Sequence, residues 1–158
     1  MEFLFIGEWV DFRMNQRHFN RLVSMYENAP INQYFNPKME ISLGQSKIEM
    51  VISENFHHSG KSLHGSVYFK MLDDAAFFAA SSYVDDNFLV TTTFTTYLTR
   101  PISKGFIRSK GEVVNKNNTQ IISESVLFDD QNREIARGSG IFVQSKFPLK
   151  NALGYSLD

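Results

Sequence analysis

Between Gly65 and Ser82 the chain reads GSVYFKMLDDAAFFAASS, and only Lys70, Asp73 and Asp74 carry charge. Val67, Tyr68, Phe69, Met71, Leu72, Ala75, Ala76, Phe77, Phe78, Ala79 and Ala80 leave hardly any polar face. A helix that is apolar nearly all round has to be buried by the rest of its own chain. Charges interrupt this run and every other apolar run well short of the roughly 20 residues needed to span a bilayer, so no membrane span is expected. The chain must instead wrap something around this segment.

What wraps it follows at once, because the hydrophobic period changes to two. The runs Phe88 to Arg100, Gly105 to Asn115, Thr119 to Asp129 and Glu134 to Ser145 are rich in Thr, Val, Ile and Phe. Turn signals separate them at Arg100-Pro101 to Gly105, Asn115 to Asn118, and Asp129-Asp130-Gln131-Asn132. Loops this short imply antiparallel neighbours. Upstream, Lys47 to Ser53 alternates as a further strand, and Phe19, Leu22, Val23 and Tyr26 mark an amphipathic helix from Met14 to Asn28, with Pro30 just beyond it. The pattern is α+β: an N-terminal helix, a strand, a long buried helix and four antiparallel strands wrapped around it.

With 158 residues, 42% of them apolar and 15 of them Phe, the chain has material for one core and one domain. Because the helical pattern begins at Met14, residues 1–13 read as an extension and 14–158 as the domain. The first ten residues carry Glu2 and Glu8 and lack the basic start and small-residue cleavage site of a signal peptide, which points to the cytoplasm. Sixteen basic against 17 acidic side chains provide no one-sided field for nucleic acid. The absence of cysteine excludes disulfides, thiolate metal sites and thiol nucleophiles. Chemistry is left to oxygen and imidazole groups.

Gly60-Lys61-Ser62 imitates the end of a phosphate loop, but Asn55 stands where the first glycine is required. His57, His58 and His64 match no common zinc spacing, so no metal is expected. The informative feature is the buried helix itself. Its start, His64-Gly65-Ser66, offers free N–H groups and the positive dipole end to an oxygen gaining negative charge, and Gly65 permits close approach. Further along come Asp73 and Asp74, costly to bury unless something uses them. Lys70, four residues before Asp74, is placed to pair with it. For Asp73 an explanation of that kind is weaker.

Together these residues resemble the hot-dog-fold acyl-CoA thioesterases, in particular the branch that includes phenylacetic-acid-pathway enzymes. The likeness rests on His64-Gly65-Ser66, on Asp73 nine residues after His64, and on the strand Val90-Thr91-Thr92-Thr93-Phe94. Tyr97-Leu98-Thr99-Arg100-Pro101 and Ile135-Ala136-Arg137-Gly138-Ser139-Gly140 complete it. The resemblance implies a hot-dog fold in which Asp73 acts as general base or nucleophile, the Gly65 N–H holds the oxyanion and Thr91 orients water. It departs from the family at Ser66, where a second glycine is usual, and at His58, where an asparagine is usual. His58 retains the ability to hydrogen-bond the thioester or the water, with added pH sensitivity.

The substrate implied is an acyl- or aryl-CoA, with coenzyme A entering as part of the substrate and no separate cofactor. Arg100, Lys104 and Lys61 are the candidate phosphate contacts. Subunits of such proteins pair, the turn glycine of one chain facing the helix Asp of the other, so a homodimer, and a dimer of dimers beyond it, is expected. Two other readings remain: an acyl-CoA or acyl-carrier binder without catalysis, and a hot-dog dehydratase or hydratase.

Overall fold

The computed structural model describes residues 3–156, with side chains from residue 15 onward. Helix α1 spans Phe3–Asn28 and α2 spans Pro30–Phe35; strands β1 (Lys38–Ser42) and β2 (Gln45–Val51) precede the long helix α3 (Gly65–Ser81). Strands β3 (Asn87–Leu98), β4 (Phe106–Lys116), β5 (Ile121–Asp129) and β6 (Glu134–Pro148) follow. All six strands form one sheet in the order β1-β2-β4-β5-β6-β3 with every pairing antiparallel. α3 lies against one face of it, in contact with β2, β3, β4, β5 and β6.

Three local expectations change. Helix α1 begins at Phe3 rather than Met14; how the side chains of the 1–13 extension are placed lies outside the described residues. α2 and β1 are additional, and β1 turns into β2 through Leu43-Gly44, where Gly44 at φ 73 supplies the left-handed backbone of a two-residue turn. β3 and β4, expected as neighbours, are not paired: β3 joins β6 at the sheet edge. The reason is the connection through residues 99–105. The Ile102 carbonyl accepts from Leu63 N–H at 2.8 Å, the Arg100 carbonyl accepts from Tyr68 Oη at 3.0 Å, and Gly105 O accepts from Ile52 N–H at 2.9 Å. The segment is thus carried across the start of α3 and delivers β4 beside β2.

Small residues bed the helix. Ser46, Gly111, Ser125 and Gly138 stand opposite one another across β2, β4, β5 and β6. Ser46 Oγ donates to the Ala75 carbonyl at 2.6 Å and Ser125 Oγ to the Leu72 carbonyl at 2.8 Å. A Cβ on Gly111 would fall against the Ala75 backbone, well inside contact distance. Backbone cannot swing aside as a side chain does, so α3 would have to lift from the sheet. Gly111→Ala is therefore expected to cost about 2 kcal/mol or more, measured as a lower urea midpoint with unchanged slope. An unchanged midpoint would mean that α3 does not sit this close.

α1 closes the other side. Leu22, Met25 and Tyr26 enter the core, and the Tyr26 ring meets Phe78 edge-on at 4.9 Å. His18 Nε2 lies 2.9 Å from the Ser81 carbonyl and its Nδ1 2.8 Å from Tyr155 Oη. A carbonyl only accepts, so Nε2 carries the proton and Nδ1 accepts from Tyr155. α1, the end of α3 and the C-terminal segment are tied at one point. Among the described residues no helix is long and apolar enough to cross a membrane.

Candidate active site

The start of α3 is capped from within. His64 adopts extended geometry and its Nδ1 accepts the Ser66 N–H at 3.1 Å, with Ser66 Oγ 2.7 Å away. An N–H can only donate, so Nδ1 is bare and the proton of the neutral ring sits on Nε2. The same logic applies to His58, whose Nδ1 accepts from Gly60 N–H at 2.9 Å. The two rings stand 6.5 Å apart between centroids. Gly65, the first helical residue, directs its N–H to no described acceptor, as an oxyanion donor must. The Leu98 side chain packs over its Cα.

Along α3, Asp73 meets β3. Thr91 Oγ1 donates to Asp73 Oδ1 at 3.0 Å. Burial is the largest influence on this carboxyl and pushes its pKa up to about 6; the Asp74 charge adds to the rise, while the Thr91 hydrogen bond and the Lys70 ammonium oppose it. One turn earlier Phe69 is 42% exposed and packs edge-on against Phe94 at 5.6 Å, leaving an apolar surface beside the carboxylate. Asp74 faces the other way. It takes a hydrogen bond from Tyr26 Oη at 2.8 Å and pairs with the Lys70 ammonium.

The fold brings Asp73 to Thr91, and places His58, His64 and Gly65 around the start of α3. It does not bring these two groups together within one chain. Eight residues of helix at 1.5 Å each separate Gly65 from Asp73 by about 12 Å. The basic candidates fall at the Gly65 end. Lys61 sits in the turn closed by Lys61 N–H to the His58 carbonyl and His58 N–H to the Ser62 carbonyl, both 2.9 Å. That turn abuts the segment bearing Arg100 and Lys104 through Leu63 N–H to Ile102 O and through His57 Nε2, which donates to the Ser103 carbonyl at 2.8 Å. All three cationic side chains are exposed. Lys61 holds φ 61, a left-handed conformation uncommon outside glycine and asparagine.

Sequence reasoning missed Tyr26, which reads as one more apolar position of α1, and the pairing of Phe69 with Phe94. No group of three or more His, Cys, Asp or Glu placed to hold a metal occurs among the described residues. Two clefts of about 590 and 560 Å³ open elsewhere, on the β1–β2–β4–β5 face and at the β4–β5 turn, and neither is lined by Asp73 or Gly65. The arrangement offers a partly buried carboxylate, a hydroxyl that orients it, and, at a separate point, a helix start where the Gly65 N–H alone has no described acceptor, the Ser66 and Val67 N–H groups being taken by His64. Those are parts for attack on an activated carbonyl.

Residues 60–136 match the thioesterase superfamily family model. No curated protein shows significant sequence similarity to the chain. Among solved structures, the PaaI protein of E. coli, from its phenylacetic acid degradation operon, superimposes with a TM-score of 0.77 at 16% identity, over 85% of this chain and 97% of that one. A thioesterase from Haemophilus influenzae superimposes with a TM-score of 0.70 at 11% identity, over 76% and 85%. The matched segment starts in the turn before His64 and runs through α3, Asp73 and Thr91 to the first residues of β6, so the long helix and both ends of the candidate site fall inside it: over these residues the chain matches the thioesterase superfamily, and its fold as a whole is the hot-dog fold.

Proposed function

We propose that the protein hydrolyses the thioester of an acyl- or aryl-CoA, with Asp73 as the reacting carboxylate. The observation that carries this reading is the Thr91 to Asp73 hydrogen bond at 3.0 Å beside an exposed apolar surface. A carboxyl with a pKa of about 6 is ionised at neutral pH yet more basic than an ordinary aspartate, which suits a general base. Thioesters are already activated, so an oriented water, or direct attack by the carboxylate, and a donor for the oxyanion suffice. Direct attack joins Asp73 Oδ to the acyl carbon and expels the thiolate of CoA; water then cleaves the mixed anhydride. In the general-base route Asp73 takes the proton of a water held by Thr91, and the thiolate leaves with the acid as the other product. Gly65 N–H supplies the oxyanion donor, with His58 and His64 Nε2–H beside it.

Because Gly65 and Asp73 are too far apart along one helix to touch one carbonyl, the working site in this reading is shared between two chains, Gly65 coming from the partner copy. The β3 edge, with Tyr97 and Leu98 exposed, is the surface that brings such a copy alongside. Arg100, Lys104 and Lys61, at the Gly65 end, take the CoA phosphates. The family match over residues 60–136 and the fold support a hydrolase, and the residues above supply the specific chemistry. The test is release of free thiol from a panel of short, medium and aromatic acyl-CoAs by purified protein. Turnover of at least one of them, lost in Asp73→Asn, supports the reading; tight binding without turnover replaces it with a carrier-binding role.

A further inference from the structure

Asp74 adjoins the proposed reacting carboxylate but belongs to a different cluster, whose members come from three helices. Tyr26 of α1 donates to Asp74 Oδ2 at 2.8 Å, and the Lys70 ammonium pairs with the same oxygen. Lys70 Nζ also stands 5.3 Å from the ring centroid of Tyr26 and 5.3 Å from that of Phe35 in α2, a cation held between two aromatic rings. The Lys70 and Asp74 side chains keep only 12% and 20% of their exposure. Withdrawing two charges from water is costly, and such a pair is weak evidence for stability. Tyr26 and Phe35 lie outside the residues 60–136 that match the family. The enclosure is built by this chain's N-terminal helices.

Helical spacing gives the cluster a second addressee. Lys70 precedes Asp73 by three residues and Asp74 by four, so its stem rises between both carboxylates. The groups acting on Asp73 are few: Thr91 from β3, and Asp74 and Lys70 from its own helix. Those acting on Asp74 are Lys70 and, from α1, Tyr26. We infer that the Lys70–Asp74 pair, boxed by Tyr26 and Phe35, is a charge-balancing device that positions α3 against α1 and sets the basicity of Asp73. Asp74 cancels Lys70, so that Asp73 meets neither a bare ammonium nor a bare second carboxylate. Its importance for rate rests on the thioester-hydrolase reading; its effect on the Asp73 titration does not.

The test follows the Asp73 carboxyl by NMR titration in the full-length protein, alongside the acid limb of kcat/KM. Asp74→Asn leaves the ammonium uncompensated, and the Asp73 midpoint should fall by about one pH unit. Adding Lys70→Met removes the cation too, and the double variant should return to within about 0.3 unit of wild type. Lys70→Met alone must raise the combined midpoint of the two carboxyls, and it carries the test if Asp74→Asn does not fold. A cluster that is merely structural would shift stability but not produce opposite displacements that cancel. An Asp73 midpoint unmoved by Asp74→Asn, a double variant displaced as far as the single one, or no rise in Lys70→Met overturns the inference. Should the wild type hydrolyse no acyl-CoA, the functional reading fails while the NMR midpoints still decide this one.

Discussion

Asp73→Asn should lower kcat/KM by about 10² or more while making the folded protein more stable at neutral pH. Both effects have one origin. Asparagine keeps the shape and still accepts the Thr91 hydrogen bond, but it cannot take a proton or attack as an anion. The stability gain follows from the direction of the pKa shift. The carboxyl rises from 3.8 unfolded to about 6 folded. The wild type therefore has its full stability below the unfolded value and loses part of it as pH rises through about 6. The side chain keeps some contact with water, so the penalty at pH 7.5 is about 1 kcal/mol after allowance for solvent screening. Thermal or urea unfolding of both proteins should show the variant ahead at pH 7.5 and the gap closing near pH 4. A variant that is less stable at neutral pH would show that Asp73 holds the fold rather than being held by it.

Two inactive variants should restore each other. In the proposed shared site, Asp73→Ala removes the reacting carboxylate and Gly65→Pro removes the oxyanion N–H at a helix start, where proline is tolerated. After joint unfolding and reassociation about half of the proposed dimers should be mixed. Each mixed dimer carries one site with both defects and one with neither, so activity should return to roughly a quarter of the wild-type level. No recovery, with exchange of subunits verified independently, would mean that each chain builds its own site. The two substitutions lie about 12 Å apart along α3, and neither should disturb the other's effect on folding.

The residues that announce the fold are those whose neighbours in sequence are also their neighbours in space. α3 was legible because its burial is a property of one continuous run, and its N-terminus at Gly65 agrees with the His64-Gly65-Ser66 turn. The strand runs of β4, β5 and β6 were legible for the same reason, each being joined to the next by a short turn. The edge position of β3 was not. It depends on the Ile102 and Gly105 carbonyls finding Leu63 and Ile52, contacts that no local period records. The row of Ser46, Gly111, Ser125 and Gly138 was equally hidden, since it exists only once four strands are in register.

At the site, Asp73 stood out because Lys70, the one cation of an apolar helix, is spaced to pair with Asp74 and leaves the second carboxylate to be explained. The resemblance supplied Thr91, and the 3.0 Å bond between them is what the fold adds. Asp74 was explained in advance by Lys70, four residues away, but only half of its surroundings lay in that spacing. Tyr26, 48 residues upstream, completes them, and nothing in an apolar helical stripe distinguishes a tyrosine whose hydroxyl is in use from one that merely fills space.

Whether the Asp73 carboxylate does the proposed chemistry is decided by the pH dependence of kcat/KM on the best acyl-CoA substrate. An ionised base predicts a rate that rises with pH along a single acid limb with its midpoint at about 6. That limb should be missing from whatever activity remains in Asp73→Asn. A limb that persists unchanged in Asp73→Asn would exclude Asp73 as the reacting group and move that role to His58 or His64.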